Sequence, residues 1–300
     1  MESKYDVVLL TDHRYLKESY PDEYSNNVVT EDNLVKEALE KQGLSVWRTN
    51  WDNPNFDWAL TKSVLFRTTW DYFDRFPEFS EWLDGISKKT KLINPMEMIR
   101  WNLDKHYLSD LQKNGIPVVP TYFIEAGEKR TLAECVRDSG WNKIILKPAI
   151  SGAARHTYKL TATTTDPYES VFRKLIKDEA MLIQPFMENI LTKGEVAHMV
   201  MGGKYTHSVL KIAKKGDFRV QDDFGGTVHD YQPNETEIKF IENVMKNVSP
   251  TPAYGRVDVI WDNLDQLVVS ELELIEPELW FRKNHDAATE LAKEIMSYLN

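Results

Sequence analysis

Two short stretches near the C-terminal end hold the densest chemistry of the chain: "GRVDVIW" (255–261) and "VSELELI" (269–275). Side chains of an extended strand alternate between faces, so Arg256 and Asp258 share one face, and so do Glu271 and Glu273. Residues 262–266 read as a turn. A hairpin with a four-residue loop at 263–266 sets Asp258 opposite Glu271 and Arg256 opposite Glu273. Like charges directly opposed destabilise a sheet. The three carboxylates therefore form either a solvated polar face or the seat of a cation. An all-oxygen set selects a hard ion, and Mg²⁺ is usually held by one or two carboxylates together with substrate phosphates.

A cation of that kind calls for phosphate-binding groups elsewhere. In "KIILKPAISGAARHTYKL", Lys147 ends a β-rich run, and Pro148 leads into a turn of small residues, Ser151, Gly152, Ala153 and Ala154. An ammonium beside such a turn can meet phosphates together with backbone N–H groups. The plain alternative is a snorkelling surface lysine. Neither GxxxxGK[ST] nor GxGxxG occurs, which removes P-loop and Rossmann readings. "MLIQPF" reads as a strand whose apolar side chains and backbone polar groups, through Gln184, Pro185 and Phe186, suit a flat heterocycle. "VAHMVMGGKYTHSVLKIA" is a hairpin turning at Gly202 and Gly203, with Tyr205, His207, Val209 and Lys211 on one face. His207 by itself reads more simply as a structural histidine than as a catalyst. "KKGDFRVQDDFGG" sets Lys214, Lys215 and Arg219 in a glycine-flanked loop, and 215–226 is the candidate for a segment that closes over a site.

The elements that must position these residues begin with a β-α-β rhythm. "YDVVLLTD", "LSVWRT", "SVLFRTTW" and "KLIN" read as strands. "TEDNLVKEALEKQG" reads as a helix with Thr30 as N-cap and Gly43 as stop, and "PEFSEWLDGISKKT" as a helix entered at Pro77. This pattern predicts an open, mostly parallel sheet with covering helices. Functional residues in such sheets sit past the carboxyl ends of strands, where "RTTWDY" places Arg67, Trp70, Asp71 and Tyr72. The alternative there is a loop with an ion pair and a core tryptophan. Beyond 95–100 the character changes: one helix runs to about Asn114, and strands then dominate. Helices are expected near 131–139, 167–177 and 235–247.

Composition narrows the function classes. The 300 residues are 42% hydrophobic and 11% aromatic, enough for a substantial core. A net charge of −10 argues against nucleic-acid or membrane-surface binding. No 18-residue apolar run occurs, so no membrane span is expected, and Cys135 as the sole cysteine excludes an intrachain disulfide and a thiolate metal cluster. The N-terminal stretch lacks the features of a secretion signal, so a cytoplasmic location is expected.

The order of these pieces resembles the ATP-grasp superfamily of carboxylate–amine ligases, in the branch near prokaryotic glutathione synthetase, the RimK-type ligases and the cycloserine-forming enzyme. The likeness runs over roughly 94–281, about two-thirds of the chain. It implies an α/β domain at 1–98, a central α+β subdomain at 99–183 and a C-terminal one at 184–300, with the nucleotide enclosed between the last two. It also implies that Lys105 in "NLDKHYL" and Lys147 in "LKP" bind the nucleotide phosphates, with Ser151 and Gly152 in the phosphate loop. Gln184, Pro185 and Phe186 would line the adenine strand, Glu195 in "KGE" would take the ribose, and Lys211 would be a further nucleotide lysine. Asp258, Glu271 and Glu273 would hold Mg²⁺, or Mn²⁺ in its place, and Arg256 would stabilise the transferred phosphoryl group. Two departures stand out. Many relatives have Glu-x-Asn where this chain has Glu271-Leu272-Glu273, and the phosphate loop is poor in glycine.

The implied reaction is phosphorylation of a carboxylate by MgATP, followed by attack of an amine on the acylphosphate and release of ADP and phosphate. Closure of a small amino-acid derivative into a ring, as in the cycloserine-forming relative, uses the same machinery. A nucleotide-binding regulator without turnover is the rival from another class, but it has no use for the phosphoryl-transfer arginine. An amino acid or short peptide is the expected substrate, met by Arg67, Trp70, Asp71, Tyr72, His207 and Arg219. Glu276 and Glu278 either orient its amine or pair with Arg282 and Lys283. Homodimers are common in the family and are one assembly that the resemblance allows.

Overall fold

A computed structural model describes residues 3–221 and 224–299. The chain opens with β1 (Tyr5–Thr11), α1 (Glu23–Lys41), β2 (Val46–Asn50), β3 (Thr61–Thr68), α2 (Phe76–Ile86) and β4 (Lys91–Ile93). These strands form a parallel sheet in the order β2-β1-β3-β4. The central strands β1 and β3 are buried on both faces along most of their length, as parallel strands require, whereas the edge strand β2 leaves Trp47 exposed. The first helix starts earlier than its sequence signal. Asp22, not Thr30, caps it by accepting from the Ser25 amide, while the Thr30 hydroxyl turns back onto the Asn26 carbonyl.

The expected single helix to Asn114 is two, α3 (Met96–Leu103) and α4 (Tyr107–Lys113), parted at Asp104. Next come β5 (Tyr122–Ile124), α5 (Leu132–Ser139), β6 (Lys143–Pro148), β7 (Tyr158–Thr161), α6 (Asp166–Leu175) and β8 (Met181–Pro185), whose strands pair antiparallel as β5-β8-β6-β7. Alternation sorts β6: Ile144 and Leu146 enter a core with α5 and α6, while Ile145 and Lys147 face a cleft.

The remainder comprises α7 (Ile190–Lys193), β9 (Glu195–Met201), β10 (Lys204–Ile212), β11 (Thr227–Tyr231), α8 (Glu235–Lys246), β12 (Tyr254–Trp261), β13 (Leu267–Glu273) and α9 (His285–Leu299). The five strands form an antiparallel sheet, β11-β10-β9-β12-β13. One of its faces, with Val196, Val200, Val257 and Leu272, packs on Ile241 and Val244 of α8 and Leu108 and Leu111 of α4. The other face is divided. Ala197, Met199, Met201 and Val209 join a core with α1 and α9, whereas Glu195, Lys211, Arg256 and Asp258 open onto the cleft. Strands β7 and β11 and helix α9 were not anticipated from the sequence.

The β12–β13 register matches the expectation by an unexpected route. Arg256 pairs with Glu273 and Asp258 with Glu271, but the loop has five residues, with Trp261 opposite Leu267. A bulge between Asp258 and Val259 leaves Ser270 as the extra residue and absorbs the difference.

Candidate active site

The cleft lies between the β5–β8 sheet and the divided face of the five-stranded sheet. Its acidic strand, β13, is an edge strand, and long-range contacts fix its outer side. Asn102 donates to the Leu272 carbonyl (2.8 Å) and accepts from the Leu274 amide (2.7 Å), and the Tyr107 hydroxyl accepts from the Leu272 amide (2.9 Å). The Val269 amide donates to the Pro117 carbonyl at 2.9 Å. These bonds satisfy edge groups that would otherwise be open to another strand, and they aim Glu271 and Glu273 into the cleft.

Charges at this end are paired. Arg256 reaches both Asp258 oxygens, Nε to Oδ1 and Nη2 to Oδ2, each at 2.8 Å, and its Nη2 also bonds Glu273. Lys211 lies 2.6 Å from Glu195 and 3.1 Å from Asp258. Lys105 pairs with Glu271 at 2.8 Å and donates to the Ser151 carbonyl at 2.6 Å. Burial works against charge on Asp258, only 2% exposed, but Arg256 and Lys211 outweigh it and hold the carboxyl below its ordinary range. Lys105 and Lys147 do the same for Glu271. Glu273 goes the other way: burial, reinforced by Asp258 and Glu271 and only partly offset by Arg256, pushes it up to about 8.

Lys147 has no carboxylate within ion-pair distance among the described residues, and burial together with Lys105 lowers its pKa. Beside it the small-residue turn carries strain. Ala153 and Ala154 adopt left-handed φ of 47° and 55°, which an L side chain rarely takes. Gly152 answers a different need: a Cβ there would stand 2.7 Å from the Phe73 ring.

The expected metal set faces one cleft, yet among the described residues no three or more His, Cys, Asp or Glu side chains stand in metal-holding geometry. The reason is visible in the pairing, since each of the three carboxylates turns onto a lysine or an arginine. The donor set nevertheless fits a hard divalent ion shared with phosphates. It is all oxygen, and the raised Glu273 marks negative charge that a cation would relieve.

The apolar end of the cleft is lined by Val119, Ile145, Gln184, Pro185, Phe186 and Ile260. The Gln184 amide donates to the Thr121 hydroxyl at 3.0 Å, and the Phe186 carbonyl already accepts from Asn263 at 3.0 Å. Glu195 also accepts from Ser270 at 3.0 Å, giving the bulge residue a place in the site. Arg219 lines the cleft but is held by Asp217, with Nη2 to Oδ2 at 2.7 Å. Of the 215–226 segment, Asp222 and Asp223 lie outside the described residues. Phe218, Arg219, Val220 and Gln221 reach the cleft.

Toward the parallel sheet, Trp70, Tyr72 and Glu276 line the cleft, while Arg67, Asp71 and His207 do not. Arg67 is 1% exposed and turned to Asp32 at 3.4 Å. Asp71 accepts from the Trp51 indole at 2.7 Å and from Arg75 at 2.8 Å, so it is spent on the core of the first sheet. The Nε2 of His207 meets the Leu279 carbonyl at 2.9 Å and so braces the segment after β13. Glu278 pairs with Arg282 at 2.7 Å, as one of the two sequence readings held; Glu276 does not. Sequence reasoning missed Tyr24, Asn102, Tyr107, Ser270 and Trp280. Asn102, Tyr107 and Ser270 lie inside stretches quoted for their neighbours, whereas Tyr24 and Trp280 do not.

Three sheets in this order, with a cleft between the two antiparallel ones, give the chain the ATP-grasp fold. A family model described as the D-cycloserine synthetase DcsG N-terminal domain matches residues 7–94. The cycloserine biosynthesis protein DcsG of Streptomyces lavendulae is 26% identical over 283 residues, covering 88% of this chain and 92% of that protein. The crystal structure of D-cycloserine synthetase DcsG superposes with a TM-score of 0.83 at 25% identity, over 98% of this chain and 99% of that one. A RimK domain ATP-grasp protein from Sphaerobacter thermophilus shares the fold at a TM-score of 0.68 and 15% identity, over 96% and 98% of the two chains.

Proposed function

We propose that the protein uses MgATP to convert a substrate carboxylate into an acylphosphate, which an amine then attacks. The observation that carries this reading is the convergence of Lys105, Lys147, Lys211 and Arg256 on one face of the cleft with Asp258, Glu271 and Glu273. Phosphoryl transfer needs positive charge fixed around the moving group more than it needs a covalent nucleophile. Lys105 and Lys147 hold the nucleotide phosphates beside Ser151 and Gly152, Glu195 and Lys211 the ribose side, and Gln184, Pro185 and Phe186 the base. Arg256 lies against the transferred phosphoryl oxygens. Asp258, Glu271 and Glu273 would hold the divalent ion, which supplies further positive charge for those oxygens. Phe218, Arg219, Val220 and Gln221, which border the cleft, screen the acylphosphate from water.

The substrate is of amino-acid size. A second reading, ring closure in which amine and carboxylate belong to one molecule, is favoured by the likeness to cycloserine synthetase over nearly the whole chain. Both readings are tested by ADP release from MgATP with pooled amino acids and short peptides, with Glu271→Gln as control. Pool-dependent release lost in the variant is the expected outcome, and the product mass separates ligation from cyclisation. Release that persists in Glu271→Gln would count against the metal assignment.

A further inference from the structure

Trp280 stands in a conformation that its residue type resists. Its φ is 44°, in the left-handed region, where a bulky side chain is a rare exception. Such a backbone persists only when its surroundings impose it. Two elements do so here, from opposite sides. From β10, His207 Nε2 meets the Leu279 carbonyl at 2.9 Å and the Trp280 carbonyl at 3.2 Å. From α1, which packs on the parallel sheet, Glu31 accepts from the Phe281 amide at 2.7 Å and from the Arg282 amide at 3.1 Å. It also accepts from the Arg282 guanidinium at 2.9 Å. Glu31 is 2% exposed, and this turn occupies both of its oxygens.

The turn so held forms the seat of Arg256. The centre of the Trp280 ring lies 5.4 Å from the Arg256 guanidinium carbon and 5.8 Å from Lys211 Nζ, so one aromatic face attracts both cations. Two residues earlier, the Glu278 carbonyl accepts from Arg256 Nη1 at 3.2 Å. The indole N–H of Trp280 is buried with no hydrogen-bond partner among the described residues, so no bond of its own places the ring there. The other contacts of Arg256, to Asp258 and Glu273, are made to groups that a divalent ion would draw away. The ring and the carbonyl are neutral and have no such competitor.

We infer that Glu31 is a positioning residue for Arg256. It locks the 278–282 turn so that the Trp280 ring and the Glu278 carbonyl keep the guanidinium in place when Asp258 and Glu273 turn to the metal. The role rests on the ligase reading above, which has Arg256 meet the transferred phosphoryl group.

Two measurements on the full chain test it. The first follows ADP release, with the amino-acid and peptide pool, in Glu31→Gln, Trp280→Leu and the double variant. An amide has one acceptor oxygen and would set its NH₂ against backbone donors, so Glu31→Gln unlocks the turn at constant bulk. Turnover at saturating MgATP should fall about tenfold or more in each single variant, while Glu31→Gln keeps its KM for MgATP and its MgADP affinity within about twofold of native. The double variant should lose no more than Trp280→Leu alone, because both substitutions act through one seat. Trp280→Phe, which restores an aromatic face, should recover most of that loss. The second measurement reads hydrogen exchange at the Arg256 Nε–H by nitrogen-15 NMR in MgADP-loaded protein, with the signal assigned from its loss in Arg256→Lys. Exchange should speed up about tenfold or more in Glu31→Gln and in Trp280→Leu. If Glu31→Gln does not fold, Glu31→Asp, which keeps the charge beside Arg282 but shortens the reach to the turn, carries the same expectations. Native turnover and exchange in the Glu31 variant, a loss confined to KM, or losses that add in the double variant would each overturn the positioning role. Native protein that binds MgADP but releases no ADP leaves the exchange measurement to decide. Failure to bind MgADP at all would overturn the ligase reading and the inference with it.

Discussion

The two ends of the cleft solve opposite electrostatic problems. At the β12–β13 end, acids and bases are packed close enough to neutralise one another, and a bound nucleotide must exchange those internal partners for its own phosphates and metal. At the end formed by Trp70, Tyr72 and Glu276, one carboxylate stands among aromatic rings with no cation within ion-pair distance among the described residues. The first end is thus assembled before any ligand arrives. The second keeps its carboxylate without an ion-pair partner among the described residues. The difference shows that a site's carboxylates cannot be assigned roles from their number alone, because the partner of each decides what it can still bind.

The comparison breaks most severely at Arg256, which is 8% exposed and serves both Asp258 and Glu273. Arg256→Met leaves two buried acids short of their cation, and a loss of about 3–5 kcal/mol is expected in denaturant unfolding. Lys147→Met, by contrast, removes a cation with no internal partner. Its thermal midpoint should hold, while ADP release falls by about a hundredfold. A Lys147 variant that unfolds like the Arg256 variant would erase the distinction between paired and open charges.

The smallest effect concerns pH. Burial, partly offset by the Tyr72 hydrogen bond, pushes Glu276 up to about 7 in the fold, against an ordinary value of 4.5. Between those values the folded state binds the proton more tightly than the unfolded chain does. This group's contribution to stability therefore falls as pH rises from about 4.5 to 7, with a slope of at most about 1.4 kcal/mol per pH unit. Glu276→Gln should flatten that part of the stability–pH curve for the ligand-free protein, measured by denaturant titration at pH 5, 6 and 7. A slope unchanged by the substitution would mean that the carboxylate is already balanced by a charge.

Local pattern carried the sequence reading where the signal is short-range. Period-two alternation sorted Arg256, Asp258, Glu271 and Glu273 onto their faces, and the paired glycines marked the turn between β9 and β10. The acidic register emerged even though the loop is a residue longer than expected, because the bulge at Ser270 compensates. A preference for opposed charges beside a cation was legible; the bulge that serves it was not.

What only the tertiary structure decided is which side chains have partners. Arg67 and Asp71 sit in a stretch that looks made for a substrate, but Asp32 and Arg75 claim them. Glu276 and Glu278 are two residues apart in one apolar segment, yet Arg282 neutralises only the second. The bond from Trp70 to Glu276 spans 206 positions and that from Phe281 to Glu31 spans 250. Residue type and spacing fix the chemistry a side chain can perform and the strand face it occupies, since both depend on neighbours along the chain. Whether its charge is spent inside the fold or left for a ligand depends on groups that only long-range packing brings within a few ångströms.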